Sequence, residues 1–313
     1  MKSRVHPKYK TKYHVKNWAS YDRALVRRGD VTLWLSSEAI DAWEPVGVGK
    51  RGGQLRYSGL AIETALTLRL VFSLPLRQTE GFLRSLFAMM GLGLSVPDHT
   101  TLSRRGRHLD VKLRRVPTGE GMHLIVDSTG LSIVGEGEWA AAKHGGQGKR
   151  GWRKLHLGVD GAGILVAQVL TDGHADDAAT VPDLLVQVDS DLSNFVADAA
   201  YDTRSVYDDA VARGATVVVP PTKTATGTSR PRCPPRDDTI ARVKEVGRRQ
   251  WKKESGYHQQ ARVENAFFRY KSIIGDRLRG RHPKAQEAEA LLACNILNRM
   301  TELGRSASYA IGA

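Results

Sequence analysis

One carboxylate interrupts a strongly apolar, strand-like segment of the chain. Within residues 123–134, Asp127 lies among leucine, isoleucine and valine side chains, a composition typical of a central β-strand. Burying an ionised carboxylate in such a strand is costly unless a cation or hydrogen bonds compensate for the lost hydration. The segment therefore predicts a central strand with a charged site on it, and the plainer interpretation is that Asp127 caps a turn.

Two further acidic residues lie where the pattern predicts ordered structure. Asp198 follows a short apolar strand at residues 195–197, where a turn begins, and its plainer role is to cap a helix. Glu264 lies within residues 257–271, which lack proline and are rich in helix-forming residues, so we predict a helix there. At the helical period, one broad face of that helix carries Tyr257, Gln260, Ala261, Glu264, Phe267, Phe268 and Lys271. A lone glutamate on a helix is most often simply solvated.

Taken together, the three carboxylates favour a metal site over three unrelated charges. Hard oxygen ligands that leave room for water and phosphate suit Mg²⁺ or Mn²⁺. Two such ions held side by side activate a nucleophile and stabilise the leaving oxygen at phosphorus. The pattern therefore predicts metal-dependent chemistry on a phosphodiester.

At these residues the chain resembles bacterial insertion-sequence transposases of the DDE class, which are named for two aspartates and a glutamate. The corresponding residues here are Asp127, Asp198 and Glu264. The predicted helix also resembles the class signature Y-x2-R-x3-E-x6-K, with Tyr257 and Lys271 at its ends. Gln260 stands where the class usually has arginine, and Arg262 lies on a different face of the helix.

Three further segments resemble the group of these transposases named after insertion sequence five. They are DSTGL at residues 127–131, WRKLHLGVD at residues 152–160 and ADAAYD at residues 197–202. The resemblance covers residues 122–305 well and the amino-terminal third more loosely. It implies a ribonuclease-H-like catalytic core.

The resemblance also implies a reaction and its partners. The reaction would be metal-dependent cleavage at the ends of an insertion sequence, followed by transfer of the 3′-hydroxyl into target DNA. Asp127, Asp198 and Glu264 would be catalytic and would hold two Mg²⁺ or Mn²⁺ ions. Tyr257, Gln260 and Lys271 would contact DNA beside the cut, with Gln260 gripping less tightly than arginine. The partners would be double-stranded DNA, both terminal inverted repeats and target, bound by a homodimer or higher oligomer.

Charge is segregated along this chain, whose formal net charge is +14. Residues 1–115 carry +12, residues 116–221 carry −8, residues 222–284 carry +11 and the remainder carries −1. An acidic block between two basic blocks is what a metal-binding core flanked by phosphate-binding surfaces requires. The distribution favours a protein that binds nucleic acid over a generally basic soluble protein without such a partner.

The order of predicted elements divides the chain. A basic arm at residues 1–20 precedes a helical DNA-binding domain at residues 21–115. Three strands followed by alternating helices and strands then predict an α/β core with a mixed sheet at residues 120–305. We expect a basic loop within it at residues 221–253, with a helix at residues 241–253, and a tail at residues 306–313.

The helical region resembles a helix-turn-helix fold. Two apolar helices, at residues 59–74 and 76–90, are followed by a glycine-containing turn and a third helix that Asp98 caps. In such folds the last helix enters the major groove, so we expect residues 1–115 to bind DNA without the core. The expected DNA contacts are Arg104, Arg105 and Arg107 on this helix, and Lys149 and Arg150 in a later hairpin loop. The alternative is an ordinary helical bundle with a basic surface.

Cysteine usage and hydropathy indicate the compartment. Cys233 and Cys294 offer neither metal-ligand spacing nor a disulfide framework, which favours a reducing cytosol. No apolar run approaches the length of a membrane span, and the basic start lacks the apolar stretch of a signal peptide. Together with the resemblance, which implies a bacterial protein associated with the nucleoid, these features lead us to expect a cytoplasmic protein.

Two other functions remain open at this stage. One is a DNA-binding repressor without catalysis, which would not need all three acids. The other is a stand-alone metal-dependent DNA endonuclease, which would share the acids but not the joining step.

Overall fold

A computed structural model describes residues 13–45, 55–114, 121–133, 151–227 and 232–311. Two of the expected DNA contacts, Lys149 and Arg150, lie outside the described residues. Residues 1–12 of the predicted arm lie outside them as well.

The first part of the chain is helical, as predicted. Its helices are α1 (Trp18–Arg27), α2 (Val31–Trp34), α3 (Ser37–Asp41), α4 (Gly59–Val71), α5 (Leu76–Met89) and α6 (His99–Gly106). Asp98 caps helix α6, and its carboxylate accepts hydrogen bonds from the backbone N–H groups of Thr100 and Thr101. The connection from α5 to α6 is extended, and it is held by a hydrogen bond from Trp43 Nε1 to Ser95 O at 2.8 Å. A helix-turn-helix usually has a turn of three or four residues there, so that assignment stays a prediction.

A mixed sheet follows. Its strands are β2 (Met122–Ile133), β3 (Trp152–Val159), β4 (Leu165–Asp172), β5 (Leu192–Val196), β6 (Thr216–Val218) and β7 (Arg277–Leu278). The order is β4-β3-β2-β5-β6, with β7 also pairing with β2. Strands β2, β3 and β4 form the predicted antiparallel meander, whereas the β2–β5, β5–β6 and β2–β7 pairs are parallel. The predicted mixed sheet is therefore confirmed.

Helices cover both faces of this sheet. They are α7 (Val181–Leu185), α8 (Arg204–Ala212), α9 (Pro234–Val246), α10 (Arg248–Glu254), α11 (Ala261–Arg269) and α12 (Pro283–Leu303). Side chains of α7 and α8 pack on one face with alternate residues of β2 and β5. Side chains of α11 and α12 pack on the other face with the residues in between.

The structure corrects the predictions for two segments, residues 221–253 and residues 257–271. In the predicted basic loop at residues 221–253, the helix expected at residues 241–253 is confirmed, but it is two helices, α9 and α10, and α9 begins earlier, at Pro234. Helix α9 is anchored by the Arg236–Asp202 ion pair. The predicted helix at residues 257–271 is a 3₁₀ turn (Tyr257–Gln260), then α11, then the start of a π-helical turn (Tyr270–Ile274).

The chain ends are also more ordered than expected. Strand β1 (Tyr13–Val15) pairs antiparallel with β8 (Ser308–Ala310), so the last part of the predicted arm is tied to the predicted tail. Asn17 strengthens this link, because its side chain donates to Arg305 O at 2.8 Å and accepts from Ala307 N at 2.7 Å.

The helical region shares one hydrophobic core with the sheet. Helix α4 packs against α12, and their buried leucines belong to the same cluster as Ile125 and Leu155 of the sheet. An isolated fragment of residues 1–115 would expose this apolar surface, so the expectation that it acts alone lacks structural support. Among the described residues no single helix is long and apolar enough to span a membrane, although α4 and α5 pass by length and composition as a pair bent by 108°.

Candidate active site

Asp127 lies on β2, and Asp198 lies two residues after the end of the neighbouring parallel strand β5. In the β2–β5 pair Ile125 is opposite Val196, so each aspartate lies two residues beyond an in-register pair. Successive side chains of a strand alternate between faces, so Asp127 shares the face of Ile125 and Asp198 the face of Val196. Both apolar residues belong to the core beneath α11 and α12. The register therefore places the two carboxylates side by side on the face that α11 covers.

Helix α11 brings Glu264 to the same face. Val263, Ala266 and Phe267 are buried in the core beneath the helix, which packs against β2 and β3. Glu264 itself is exposed. The 3₁₀ turn before the helix is attached to β2 where Gln260 Nε2 donates to the carbonyl oxygen immediately before Asp127, at 3.3 Å.

The electrostatics of Asp127 show that the acids share one neighbourhood. Burial raises the pKa of Asp127 to about 6, partly opposed by a hydrogen bond from its own neighbour, Ser128 N. The charges of Asp198, Asp177 and Glu264 also contribute to this rise. The field at Asp127 is thus strongly negative, which suits a bound cation.

The structure does not show a preformed metal cage. Across the described ranges, no group of three or more histidine, cysteine, aspartate or glutamate side chains is close enough to hold an ion. Asp127 Oδ1 accepts from Ser128 N at 2.8 Å, and Asp198 Oδ1 accepts from Ala200 N at 2.9 Å. Like charges repel, and both aspartates already accept from a backbone N–H group. The three acids therefore do not enclose the metal-sized space that we expected. The donor set, hard oxygens in an uncompensated acidic field, still fits Mg²⁺ or Mn²⁺.

Asp177 is an acid of this neighbourhood that sequence reasoning did not identify. Lys154 Nζ donates to its Oδ2 at 2.7 Å, and His156 Nδ1 lies 3.4 Å from its Oδ1. His156 is fully buried between the hydroxyls of Thr171 and Thr180, so it has a packing role. The available signal was a pair of adjacent aspartates shortly after strand β4.

Tyr257 lies beside the three predicted catalytic acids. Burial raises its pKa to about 12, and the charges of those acids add to the effect while Arg248 opposes it. The phenol therefore stays neutral at physiological pH. Lys252 Nζ lies 4.5 Å from the centre of the Tyr257 ring, which places a positive charge at the edge of the site. Lys271 is exposed and forms no ion pair with the described residues; its contact with DNA stays a prediction.

The structure corrects the expectation for Gln260. Its side chain is only 4% exposed, its Nε2 donates to Val126 O, and its Oε1 is buried without a hydrogen-bond partner. A 3₁₀ turn advances about 120° per residue rather than 100°, so the turn before α11 rotates Gln260 into the interior. The expectation that it faces DNA is therefore wrong for this structure.

The arginines of α6 have different environments. Arg104 and Arg107 are exposed. Arg105 Nη1 donates to Tyr57 O at 3.1 Å and holds the segment before α4. This contact gives Arg105 a packing role, and the DNA contacts expected of all three arginines stay predictions.

One solved structure with a similar course of the chain is a piggyBac transposase synaptic complex with hairpin DNA, determined by cryo-EM. The match covers 94% of this chain and 78% of that chain, with 14% sequence identity and a TM-score of 0.42. At that TM-score the likeness carries no argument about function.

The family profiles are more informative. Residues 118–299 match the family described as Transposase DDE domain, and this match contains Asp127, Asp198 and Glu264. A second profile with the same description matches residues 26–136. Since the first match spans more than half of the chain, this protein belongs to the transposase DDE domain family.

Proposed function

We propose that this transposase cuts DNA at the ends of an insertion sequence and joins the freed 3′ ends to target DNA. The observation that carries the proposal is the β2–β5 register, which aligns Asp127 and Asp198 on the face covered by the Glu264 helix. Sequence motifs favour the group named after insertion sequence five within the family.

The proposed reaction keeps the number of P–O bonds unchanged in each of its two steps. In the first step a water oxygen attacks phosphorus, the bond to the 3′ oxygen breaks, and the water proton passes to solvent as the 3′-hydroxyl forms. In the second step that hydroxyl loses its proton and attacks a phosphodiester of the target, and the displaced 3′ oxygen of the target takes up a proton to become a new 3′-hydroxyl. One P–O bond forms and one breaks in each step, so no external energy source is needed.

The acids would supply the environment for both steps. Asp127, Asp198 and Glu264 would hold two Mg²⁺ or Mn²⁺ ions, which activate the nucleophile and stabilise the leaving oxygen when bound. The backbone N–H groups of Ser128 and Ala200 orient two of these carboxylates at 2.8 and 2.9 Å. Tyr257, a neutral phenol beside the acids, would donate a hydrogen bond to a DNA phosphate.

DNA is the proposed partner. Exposed Lys271, Arg104 and Arg107 form no ion pair with the described part of the chain, so their charges are available to phosphates. The terminal inverted repeats and the target would both be bound as duplexes, by a dimer or higher oligomer. The proposed site of action is the bacterial cytoplasm.

The test is a cleavage and joining assay with the full-length protein. Its substrate is a duplex taken from the DNA that flanks the reading frame, incubated with a target plasmid and Mg²⁺. We expect cleavage and joined products, with both abolished by Asp198→Asn or Glu264→Gln while DNA binding persists. Asp191→Asn, the same chemical change at the exposed start of β5, should leave both activities intact.

Two outcomes would contradict the proposal. Binding without cleavage by the unaltered protein would indicate a repressor. Cleavage without joined products would indicate a stand-alone endonuclease.

A further inference from the structure

An arginine-rich groove lies beside the helix that carries Glu264. It has a volume of about 790 Å³, and no acidic side chain lines it among the described residues. The residues that matter for its chemistry are Tyr21, Arg28, Arg262, Phe268, Arg269 and Arg305. They come from three distant segments of the chain, so no local sequence motif marks the groove.

Two of the arginines are fixed by the carboxyl end of α12. Arg269 Nη2 donates to Leu297 O at 3.0 Å and to Thr301 Oγ1 at 2.7 Å, and Arg28 Nη2 donates to Gly304 O at 3.1 Å. The negative end of a helix dipole favours cations at this place. These contacts do not use all the donors, because Arg28 Nε is buried without a hydrogen-bond partner.

The positive charges in the groove outnumber their partners. Burial lowers the pKa of Arg269, and the nearby charges of Arg28 and Arg305 lower it further. Arg262 and Arg305 are exposed, and neither forms an ion pair with any residue that the structure describes. Like charges gathered in a partly buried groove favour binding of an anion.

Glycine makes room for one of these arginines. A Cβ atom at Gly163 would lie 2.7 Å from Arg305 Nη1, and Gly163 also has a φ of +77°. The β3–β4 turn therefore approaches closely enough to hold the Arg305 guanidinium over the groove.

The groove fits a nucleic-acid strand better than a free anion. It is far larger than one phosphate ion, and Phe268 at its rim is 70% exposed. An exposed aromatic ring beside arginines suits the sugar and base edges of DNA. Arg262 and Arg269 lie on either side of Glu264 along α11, about 10 Å apart at 1.5 Å per residue.

We propose that this groove holds the phosphate backbone of the DNA strand next to the cleavage site, with Arg262 and Arg305 making the contacts that depend most on salt. The inference rests on the proposed function, since it assigns the DNA grip of the same site. In this proposal Arg262, on a different face of α11 from Glu264, takes over the DNA contact that was expected of Gln260.

The test measures DNA binding in a protein that does not cut. Full-length Asp127→Asn protein is titrated with a fluorescent 20-bp duplex of random sequence over a range of NaCl concentrations. Each neutralised phosphate contributes about −0.9 to the slope of log affinity against log salt. We expect Arg262→Gln and Arg305→Gln each to make the slope shallower by about 0.9, and the double variant by about 1.8. Arg262→Lys should keep the slope, because it keeps the charge.

Arg84→Gln is the matched control. Arg84 is an exposed arginine of α5, paired with Glu80, and lies in the helical layer that packs near the other end of α12. Unchanged slopes in the double variant, or an equal decrease in the control, would overturn the proposal. Arg262 and Arg305 are both exposed, so we expect their variants to fold, and unchanged melting temperatures would verify this.

A second arm separates DNA from a free anion. Inorganic phosphate is compared with chloride at equal ionic strength as a competitor. Specific competition in the parent protein that disappears in the double variant would indicate a free-phosphate site and overturn the DNA assignment. Since the binding assay uses inactive protein, failure of cleavage in the unaltered enzyme would count against the proposed function alone.

Discussion

Replacing Asp127 by asparagine should stabilise the protein at alkaline pH. The pKa of Asp127 is raised from 3.8 to about 6 by burial and by the charges of Asp198, Asp177 and Glu264. The folded state therefore binds this proton more tightly than the unfolded state does. The resulting stability is fully present below pH 3.8 and is lost as pH rises through 6. Asparagine removes the charge that becomes costly above that pH.

The size of the effect follows from the shift. One pKa unit corresponds to about 1.4 kcal/mol, so a shift of about two units sets a ceiling of about 3 kcal/mol. Asp127 is partly exposed, and solvent screens its charge. We therefore expect the free energy of unfolding of the variant to exceed that of the parent by about 1–2 kcal/mol at pH 8.

Urea unfolding in EDTA at pH 4 and pH 8 measures this difference. The gain at pH 8 should fall nearly to zero at pH 4, where Asp127 is protonated in the folded state. Asp191→Asn, at the exposed start of β5, provides the matched control. Equal stabilities of variant and parent at pH 8 would refute the reasoning, because they would mean that neighbouring groups already compensate the Asp127 charge.

Three further outcomes are expected. Mg²⁺ should raise the melting temperature of the parent protein but not that of Asp127→Asn, because an ion that binds only the folded state stabilises that state and the variant lacks a ligand. Equal shifts in the two proteins would argue against a metal site at Asp127. Gln260→Ala should lower the free energy of unfolding by about 1–3 kcal/mol, because Val126 O loses its buried donor. Gln260→Arg should not steepen the salt dependence of DNA binding. A steeper slope would mean that the side chain at position 260 contacts DNA. Arg236→Ala should cost about 3–5 kcal/mol in urea unfolding, because Asp202 is 7% exposed and bound by Arg236 at 2.7 and 3.0 Å. Arg242→Ala, which breaks exposed pairs with Glu245 and Glu254, is its control and should cost less than about 1 kcal/mol.

Local sequence patterns predicted the elements that carry the site. Apolar, β-branched runs around Asp127 and before Asp198 predicted two strands, and the structure has β2 and β5 there. Serine and aspartate caps predicted the starts of α4 and α6. These signals succeed because strand and helix periodicity and capping depend on residues only a few positions apart. The family was readable at this level, whereas the catalytic roles of the three acids stay predictions.

Tertiary structure alone decided how these elements meet. The pairing of Ile125 with Val196 joins residues more than seventy positions apart and sets the two aspartates side by side. The 3₁₀ turn that directs Gln260 inward depends on its bond to Val126 O, a contact that helical periodicity does not contain.

Asp177 and the arginine groove follow the same rule. Asp177 joins the acidic neighbourhood only because β3 and β4 fold back beside β2. The groove gathers Arg28, Arg262, Arg269 and Arg305 because α1 and α11 both pack near the carboxyl end of α12. The sequence by itself therefore determined which residues carry charge and which segments form strands and helices. Long-range packing, which buries apolar faces wherever they fit together, decided which of those charges lie close enough to act on one another.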